Sequence, residues 1–526
     1  MLHHRRGEIT GIQGLLHAPQ PLIALAFADG ERHMALAQAG MPKLFHIQWR
    51  PARPARKEHK KFLARLLQTC GMKRADILCF GRRIHQVVEA VHQGAHARLA
   101  AEQFIQGGFS HGRNFTLPKY NKQNGGTMSH ENEAVILGAA RTPIGKFQGV
   151  LSNIPAAKLG AIAVQEAVKR AGIDPGDVEE VLMGNVVQAG NGQAPARQAA
   201  IFGGVPATVS ATTINKVCGS GLKAAMMSAQ AIRAGDADLY IAGGFESMSR
   251  APYLVSGRMG ELKFGNTQMT DALLNDGLWD PFENWGMGNA AEFIADEYEV
   301  TRAAMDEFAL HSHLKAVAAQ EAGRFNAEIA PVQIPGRKGE VTTISHDEGP
   351  RKDTSLESLA KLKPVFKADG KVTAGNASSM NDGAAAVVIS SRAYAEKRSL
   401  KPIARIIGYA QAALEPKYLF AAPAYAMPKL LKKIGWTLKD VDLIELNEAF
   451  AAQVLADGYA LADQGWDWDK VNVNGGAIAI GHPLGASGAR VLTTLIYALK
   501  DRGLKRGIAS LCLGGGEAVA MAVEIE

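Results

Sequence analysis

Two hydrophobic patterns alternate along the chain from about residue 133 onward. Short apolar runs, AVILGAA at 134–140 and VEEVLMGNVV at 178–187, predict β-strands. Between them, AAKLGAIAVQEAVKRAG at 156–172 carries apolar residues at helical spacing and finishes on Gly172, a residue type that commonly ends helices. Strands that alternate with helices of this length predict an α/β fold.

An internal repeat runs through this pattern. GIDPGDVEEVLMGN at 172–185 resembles GWTLKDVDLIELNE at 435–448, with the glycine, the Asp-Val pair and the apolar strand at the same offsets. Downstream of each copy a glycine-rich turn opens a helix, at 218–235 and at 485–503, and each helix leads to a strand and a glycine pair. The repeat predicts two similar halves that pack together. We therefore expect the two glycine-rich turns to meet in one site.

The segment between the halves has a different texture. Residues 248–377 are rich in Gly, Met and aromatic side chains and predict long loops, which in compact proteins are usually functional. We predict that this segment is an inserted loop domain. The N-terminal half is then 128–247, completed by about 378–400, and the C-terminal half is 401–526.

The composition limits the class of protein. At 526 residues the chain exceeds one hydrophobic core, so two or more domains are expected. It is 47% hydrophobic. It has no apolar run near ~20 residues, which predicts a soluble globular protein without a membrane-spanning helix. Four cysteines in so long a chain do not make a disulfide framework, and we expect a reducing, cytoplasmic setting.

The first 127 residues carry the whole basic excess of the chain. They hold 19 Lys and Arg against 7 Asp and Glu, whereas the remainder holds 39 against 44. The net charge of +7 therefore gives no reason to expect a nucleic-acid partner for the rest. The segment also has little domain character, because RPARPARKEHKK is a basic run and the helix formers of 62–104 have irregular apolar spacing.

Three interpretations of residues 1–127 are open. The segment is a basic, partly disordered arm for RNA or acidic surfaces, an accessory helical domain, or upstream nucleotide sequence translated by mistake. We favour the third, which places the segment outside the fold, because Gly125 and Gly126 just before Met128 fit a purine-rich ribosome-binding site. PLIALAFA at 21–28 imitates a signal peptide only weakly, since it is short and contains proline.

Three residues beside glycine clusters are candidates for chemistry. Cys218 precedes Gly219 and Gly221 at the start of a predicted helix, where backbone N–H groups and the helix dipole favour the nucleophilic thiolate. His482 lies in the shaped turn GGAIAIGHPLGASGAR and is a candidate general base for a thiol. Cys512, in SLCLGGGEA, also lies beside a glycine cluster, in the second half. Each alone also fits an ordinary buried or loop residue, and it is the pair of cysteines in matching halves that favours function.

A fourth candidate is Asn447 in IELNEAF, because an uncharged amide at a strand end suits the positioning of water or a carbonyl group. A turn-forming asparagine is the alternative. The small-residue stretch 373–390 is a further turn before a strand, for which a simple tight turn is the alternative. Neither a CxxC pair nor an HExxH sequence occurs, so no metal site is predicted.

Together these stretches resemble the signature sequences of the thiolase family. The match consists of NKVCGSGLKA, NASSMNDGAAA, NEAFA, GGAIAIGHPLGASGAR and CLGGGEA, in the family's order and spacing, and runs from about Glu133 to Glu526. The resemblance implies an αβαβα-layered fold of two similar halves plus a loop domain. It also implies Claisen condensation of two acetyl-CoA to acetoacetyl-CoA, or the reverse thiolysis, through a cysteine acyl-enzyme. Coenzyme A thioesters would be the substrates, with no cofactor.

The resemblance assigns a role to each candidate by its motif. Cys218 would take the acyl group, His482 would activate its thiol, and Cys512 would act as acid and base for the α-proton of the second acetyl-CoA. One oxyanion site would use His482 with a water held by Asn447. The other would use the backbone N–H groups of Cys218 and Gly514.

The same resemblance suggests residues that bind coenzyme A. They are Ser378 near the pantetheine, Met287, Phe366 and Phe450 along an apolar channel, and Arg351 and Ser358 from the loop domain. The region 263–282 looks more like the short-chain members than the fatty-acid-degrading ones. Short-chain members commonly carry His before Met-Gly, where this chain has Gly286, and this departure predicts room for a slightly larger acyl group.

Two alternative functions stay open at this point. One is a 3-ketoacyl-CoA thiolase of broader chain length in fatty-acid β-oxidation. The other is a non-catalytic CoA- or lipid-binding relative, which need not keep Cys218, His482 and Cys512 together. Ketoacyl synthases share the fold but lack a second catalytic cysteine. We expect acyl-CoA and CoA as ligands, no membrane, and a homo-oligomer, either a tetramer or a dimer.

Overall fold

The computed structural model describes residues 23–27, 33–38, 45–48, 130–257, 264–336 and 339–526. The chain divides into two compact units, Met1–Lys122 and Gln123–Glu526. In the first unit, strands β1 (Ile23–Phe27), β2 (His33–Gln38) and β3 (Phe45–Gln48) form an antiparallel sheet in that order. The basic run and the helix formers of 62–104 lie outside the described residues.

The second unit contains the remaining elements. Its strands are β4 Ala134–Arg141, β5 Gly145–Lys146, β6 Glu180–Gly184, β7 Ser210–Ile214, β8 Leu239–Ser247, β9 Tyr253–Leu254, β10 Thr270–Asp271, β11 Trp279–Asp280, β12 Trp285–Gly286, β13 Val332–Pro335, β14 Val341–Ile344, β15 Asn381–Ser391, β16 Ala404–Ala413, β17 Leu443–Leu446, β18 Arg506–Leu513 and β19 Glu517–Ile525. Its α-helices are α1 Ala156–Ala171, α2 Pro195–Phe202, α3 Ser220–Ala234, α4 Met287–Glu297, α5 Arg302–Glu321, α6 Leu356–Ala360, α7 Arg392–Lys397, α8 Pro423–Ile434, α9 Ala451–Ala460, α10 Ala477–Ile480 and α11 Leu484–Arg502.

The large sheet consists of two similar parts. In the first half the strand order is β4-β15-β8-β6-β7, with β5 also paired to β15; in the second half it is β16-β19-β18-β17. A bridge between Ile444 and Val471 extends the second half at the place that β7 holds in the first. Strands β16 and β4 pair over two residues and so join the two parts. Strand order and polarity therefore repeat from one half to the other.

The predicted internal repeat is confirmed at the level of single turns. Helices α1 and α8 each end at a left-handed glycine, Gly172 with φ 66° and Gly435 with φ 74°, followed by a 3₁₀ turn and then by β6 or β17. The predicted strand at 178–187 is shorter than expected and stops at Gly184. The Asn185 N–H still donates to the Ile214 carbonyl of β7, but the following N–H groups, those of Val186 and Val187, donate to the carboxylate of Glu246.

Alternate residues of each strand face opposite layers of helices, as the pleat of a sheet requires. One apolar core packs both halves of the sheet against α3 and α11, which lie between them. The outer faces pack against α1 and α2 in the first half and against α8 in the second. This arrangement is the expected αβαβα sandwich. Helix α11 is buried along most of its length because it packs against both parts of the sheet and against α3.

The segment between the halves is more regular than the long loops that its composition predicts. It contains α4, α5 and α6 and several two- to four-residue strands. Helix α4 packs against α9, and together they border the apolar cluster that includes Cys512. Among the described residues, no helix has both the length and the apolar character needed to cross a membrane.

Candidate active site

Cys218 lies in a strained turn between β7 and α3. Val217, the residue before it, has φ 44°, a left-handed conformation that is costly for a β-branched side chain. The turn is held by side chains on both sides: Asn215 Oδ1 accepts from the Val217 N–H at 3.0 Å, and the Ser220 hydroxyl donates to the Val217 carbonyl at 2.6 Å. The thiol therefore occupies a position fixed by the backbone, as an active-site residue needs.

The Cys218 thiol is half-buried against two apolar clusters. Burial raises its pKa to about 12, although the backbone N–H of Gly514 donates to the sulfur and favours the thiolate. The charge of Glu246 raises the pKa further. The prediction that the start of a helix favours a thiolate is therefore wrong for the free protein: helix α3 begins only at Ser220, and burial outweighs the nearby N–H groups. Cys218 needs a base.

His482 follows Gly481, whose φ of 114° is accessible mainly to glycine, and precedes α11. Its backbone N–H donates to Asn381 Oδ1 at 2.9 Å. Its Nδ1 lies 2.6 Å from the hydroxyl of Ser487, which itself donates to the Pro483 carbonyl at 2.9 Å. With the hydroxyl proton directed at the Pro483 carbonyl, we assign the imidazole proton to Nδ1 and the acceptor role to Nε2.

The acceptor nitrogen of His482 is free to act. Within the described part of the chain, Nε2 is buried and has no hydrogen-bond partner. Burial, and then the charge of Arg490, lower the pKa of His482 to about 3. The imidazole is therefore neutral at physiological pH. A neutral imidazole with an unoccupied Nε2 can accept a proton from a thiol.

Cys512 lies near the end of β18 and is buried. Burial raises its pKa well above the usual value for a thiol, and the charge of Cys218 and then that of Asp457 raise it further. The residues that flank the two thiols are in contact: a Cβ added at Gly514 would lie 3.3 Å from Val217, and one added at Gly219 would lie 2.3 Å from Leu513. The two cysteines therefore lie near each other, although about 290 residues separate them. Cys512 also shares an apolar cluster with Ile478, which lies on α10, the short helix that leads to His482.

Asn447 directly follows β17, the strand parallel to β18. Its backbone N–H donates to the Ser510 carbonyl at 3.0 Å, so it lies at the same carboxyl edge of the sheet as Cys512. Its side-chain oxygen accepts from Arg490 Nη2 at 3.4 Å. The amide nitrogen Nδ2 is buried and lacks a hydrogen-bond partner among the described residues. It is available as a donor for a substrate oxygen or a water.

Four residues of the site were not predicted from the sequence: Ser487, Asn381, Arg490 and Glu246. Ser487 and Arg490 lie in the quoted GASGAR turn, and Asn381 lies in the quoted NASSMNDG turn, so their motifs were visible but their contacts were not. For Glu246, the only indication in the sequence was its place near the end of an apolar strand. Its carboxylate accepts from Asn185 Nδ2 and from the N–H groups of residues 186, 187 and 485, and so ties the first half to the start of α11.

Four of the residues suggested for coenzyme A lie close to this site. The Ser378 N–H donates to the Ala449 carbonyl at 3.0 Å, next to Phe450. Phe450 and Met287 are partly buried against the cluster that contains Cys512. Phe366 packs on the first turn of α4, where a Cβ added at Gly288 would come within 2.3 Å of its ring. The side chains of Met287, Phe366 and Phe450 form an apolar border beside the cluster that contains Cys512.

Arg351 and Ser358 have other contacts. The Arg351 N–H donates to His313 Nδ1 at 3.3 Å, and its side chain is exposed. Ser358 is exposed on α6, where it forms a capping box with Ser355. No contact with the thiols is described for either residue. In the described ranges there is also no group of three or more His, Cys, Asp or Glu placed to hold a metal ion.

Comparison with known proteins gives one consistent result. The family model "Thiolase, N-terminal domain" matches residues 134–393, and "Thiolase, C-terminal domain" matches residues 400–525. The sequence is 53% identical over 392 residues to an acetyl-CoA acetyltransferase of Cupriavidus necator, covering 74% of this chain and 99% of that protein. It is 52% identical over 389 residues to an acetyl-CoA acetyltransferase of Pseudomonas aeruginosa, covering 74% of this chain and 98% of that protein.

A solved structure is also similar. The crystal structure of the Bacillus anthracis acetyl-CoA acetyltransferase superposes with a TM-score of 0.72 at 43% sequence identity. The match covers 75% of this chain and 99% of that one. The similarity therefore spans both halves and the segment inserted between them.

Proposed function

The chain belongs to the thiolase family, and from that premise we propose that it is an acetyl-CoA C-acetyltransferase. It would condense two acetyl-CoA to acetoacetyl-CoA or cleave acetoacetyl-CoA with CoA. One observation carries the proposal: the backbone N–H of Gly514, two residues after Cys512, donates to the Cys218 sulfur, and Cys218 also packs with Leu484, two residues after His482, whose Nε2 has no hydrogen-bond partner among the described residues. Each group has a protonation state that suits its proposed step.

In the first half-reaction the proton of the Cys218 thiol moves to His482 Nε2, and the sulfur attacks the carbonyl carbon of the acyl donor. Because the resting thiol has a pKa of about 12, it is almost fully protonated at neutral pH and this transfer is required. In synthesis, the bond from the carbonyl carbon to the CoA sulfur breaks, and the CoA thiolate takes a proton from the imidazolium. The acetyl group then remains on Cys218.

In the cleavage direction the Cys218 sulfur attacks C3 of acetoacetyl-CoA, and the bond between C2 and C3 breaks. The carbanion at C2 takes a proton from the Cys512 thiol, and acetyl-CoA leaves. Free CoA then gives its thiol proton to the Cys512 thiolate, and its sulfur attacks the acetyl carbonyl carbon on Cys218. The bond from that carbon to the Cys218 sulfur breaks, a second acetyl-CoA leaves, and the Cys218 thiolate takes back its proton from the His482 imidazolium. The raised pKa of Cys512 suits this order, since the thiol is protonated at rest and strongly basic once ionised.

Two sets of donors would stabilise the oxyanions. The first is the imidazolium of His482 with a water held by Asn447, whose free Nδ2 supports this role. The second is the pair of backbone N–H groups of Cys218 and Gly514. The hydrogen bond from Gly514 to the Cys218 sulfur supports this assignment, because it places that N–H beside the reacting atom.

We expect coenzyme A to bind along the apolar border, with Ser378 near the pantetheine and the side chains of Met287, Phe366 and Phe450 along it. Arg351 and Ser358 remain candidates for more distant parts of CoA. The reaction as written moves protons and an acyl group only among the thiols, the imidazole and CoA. We therefore expect no metal or other cofactor to be needed.

We further propose a cytoplasmic homo-oligomer, either a tetramer or a dimer. The free Cys218 and Cys512 thiols must stay reduced, which a reducing compartment ensures. Strand β7 ends the strand order of the first half, and its residues are partly exposed. An edge of this kind can pair with a second copy of the chain.

Two substitutions test the catalytic assignment. Cys218→Ala should abolish covalent labelling by radiolabelled acetyl-CoA and all thiolysis of acetoacetyl-CoA. Cys512→Ser should still be labelled at Cys218 but should lose condensation and carbon–carbon cleavage. Covalent acetyl label retained in Cys218→Ala, or condensation retained in Cys512→Ser, would contradict the assignment. A non-catalytic CoA-binding protein would show no label in the unsubstituted chain.

A further inference from the structure

Arg490, on α11, is a buried arginine with few hydrogen bonds. Its side chain is 1% exposed. Nη2 donates to Asn447 Oδ1 at 3.4 Å, whereas Nε and Nη1 have no hydrogen-bond partner in the described part of the chain. The nearest carboxylate is that of Glu445, at 3.6 Å, and its two oxygens likewise lack hydrogen bonds there. A buried charge with so few partners costs stability compared with an apolar side chain of similar size.

Another buried arginine in the same protein is fully satisfied. Arg141 donates from Nε to Glu328 at 2.5 Å and from its two terminal nitrogens to Asp347 at 2.7 and 2.8 Å. The fold can therefore supply partners for a buried guanidinium where the role of that group is structural. The poor pairing of Arg490 indicates that stability is not the reason for its position.

The place of Arg490 on α11 connects it with both halves of the catalytic machinery. Ser487 and Arg490 are three residues apart on the helix and so share a face. Ser487 contacts His482, and Arg490 contacts Asn447. Glu445 and Asn447 are two residues apart along β17 and its extension and so point to the same side of the sheet, where Arg490 reaches both.

The chemistry of the contact fixes the orientation of the Asn447 amide. A guanidinium has donors and no acceptor, so only the oxygen of the amide can face it. The NH₂ group then points away from Arg490, and this is the group without a partner. Without Arg490, the Asn447 amide could flip, so that either its oxygen or its NH₂ group would face the place where the NH₂ group now lies.

We propose that Arg490 is a positioning residue: it holds the Asn447 amide with its NH₂ group toward the reacting oxygen. The inference rests on the proposed function, since Arg490 acts only through Asn447. It adds a residue that touches neither substrate nor thiol, and it makes one face of α11 responsible for orienting both His482 and Asn447.

A double-mutant cycle tests the proposal. Arg490→Met, Asn447→Ala and the combination are compared with the unsubstituted chain in thiolysis of acetoacetyl-CoA, with kcat and KM measured separately. Loss of one oxyanion donor typically lowers kcat by about 10²-fold. We expect each single variant to lower kcat by a similar factor with little change in KM. The double variant should be no slower than Asn447→Ala alone, because the two substitutions remove the same interaction.

Arg141→Met is the matched control, since it also removes a buried guanidinium but has no contact with Asn447. In the double variant with Asn447→Ala, the decrease in kcat should equal the product of the decreases measured for the two single variants. A multiplicative result for Arg490→Met would overturn the proposal. Arg490→Lys, which keeps the charge, should lose less activity, and that loss should disappear in the Asn447→Ala background. If both Arg490 variants fail to fold, Arg490 acts in the fold and the proposal is wrong.

The same measurements separate this inference from the proposed function. No turnover of acetoacetyl-CoA by the unsubstituted chain would refute the proposed function. Turnover by the unsubstituted chain together with multiplicative effects would refute only the role of Arg490.

Discussion

Replacement of Ser487 by alanine removes the group that fixes the tautomer of His482. The hydroxyl lies 2.6 Å from Nδ1 and spends its own proton on the Pro483 carbonyl at 2.9 Å. In Ser487→Ala the Nδ1–H faces a buried space without an acceptor. The tautomer equilibrium of His482 then shifts toward the form with the proton on Nε2. That form cannot accept the proton of the Cys218 thiol.

The expected decrease in the acylation rate follows from the free-energy cost of leaving the buried Nδ1–H without an acceptor. A buried donor left without its acceptor costs about 1–3 kcal/mol. Applied to the reactive tautomer, this corresponds to a decrease of roughly 5- to 150-fold in the rate of acylation. The affinity for the acyl donor should change little, because Ser487 contacts His482 and backbone rather than the apolar border proposed for coenzyme A.

Single-turnover acylation of Cys218 with radiolabelled acetyl-CoA measures this step directly. Ser228→Ala is a matched control: Ser228 is also a buried helical serine, and its hydroxyl donates to the Ala224 carbonyl at 3.1 Å, four residues earlier. Both substitutions remove a hydrogen bond from a serine hydroxyl to the carbonyl four residues earlier, but only Ser487→Ala also removes a contact with the imidazole of His482. Equal acylation rates in the two variants would refute the tautomer argument.

Three further predictions concern stability and specificity. Burial and then Arg351 lower the pKa of His313 from 6.5 to about 4. Between these values the unfolded chain binds a proton that the folded chain does not, so acidification costs about 1.4 kcal/mol per pH unit. His313→Gln should remove this component from unfolding curves at pH 7 to 4, and parallel acid slopes would contradict it. A Cβ at Gly286 would meet its nearest neighbour at 3.5 Å, so Gly286→His should fold; we expect it to reduce activity on 3-ketohexanoyl-CoA relative to acetoacetyl-CoA by roughly 10-fold. An unchanged ratio would dismiss Gly286 as the site of chain-length selection. Gly244→Ala would place a Cβ 1.9 Å from the Gly485 carbonyl oxygen and should yield no folded protein, so a soluble variant with the original melting temperature would contradict the packing.

The repeat and the candidate residues could be predicted from the sequence because they depend on local pattern. Glycines at helix ends, strand periodicity and glycine-rich turns are properties of short windows, and Gly172 and Gly435 have the conformations that their positions suggest. Cys218 and Cys512 could be singled out because each lies beside a glycine cluster, one in each half. These signals also identified which turns would meet.

The electrostatics of the site could not be predicted in the same way. The expected thiolate at Cys218 depends on how deeply the turn is buried, and burial is set by strands far away in sequence. The tautomer of His482 depends on one hydroxyl proton, and the orientation of Asn447 depends on a guanidinium from another element. Such properties arise only when distant segments meet.

The pairing of β15 with β4 has a consequence for how the protein is made. Ala385 lies opposite Arg141, so the first half cannot complete its sheet until the inserted segment has also been synthesised. Helix α11 then fills the space between the sheets, close to the end of synthesis. Contacts this distant in sequence slow folding and leave apolar faces uncovered on the nascent chain. On the ribosome, Cys218 is thus made long before the base that is proposed to serve it, and the catalytic site forms among the last parts of the fold.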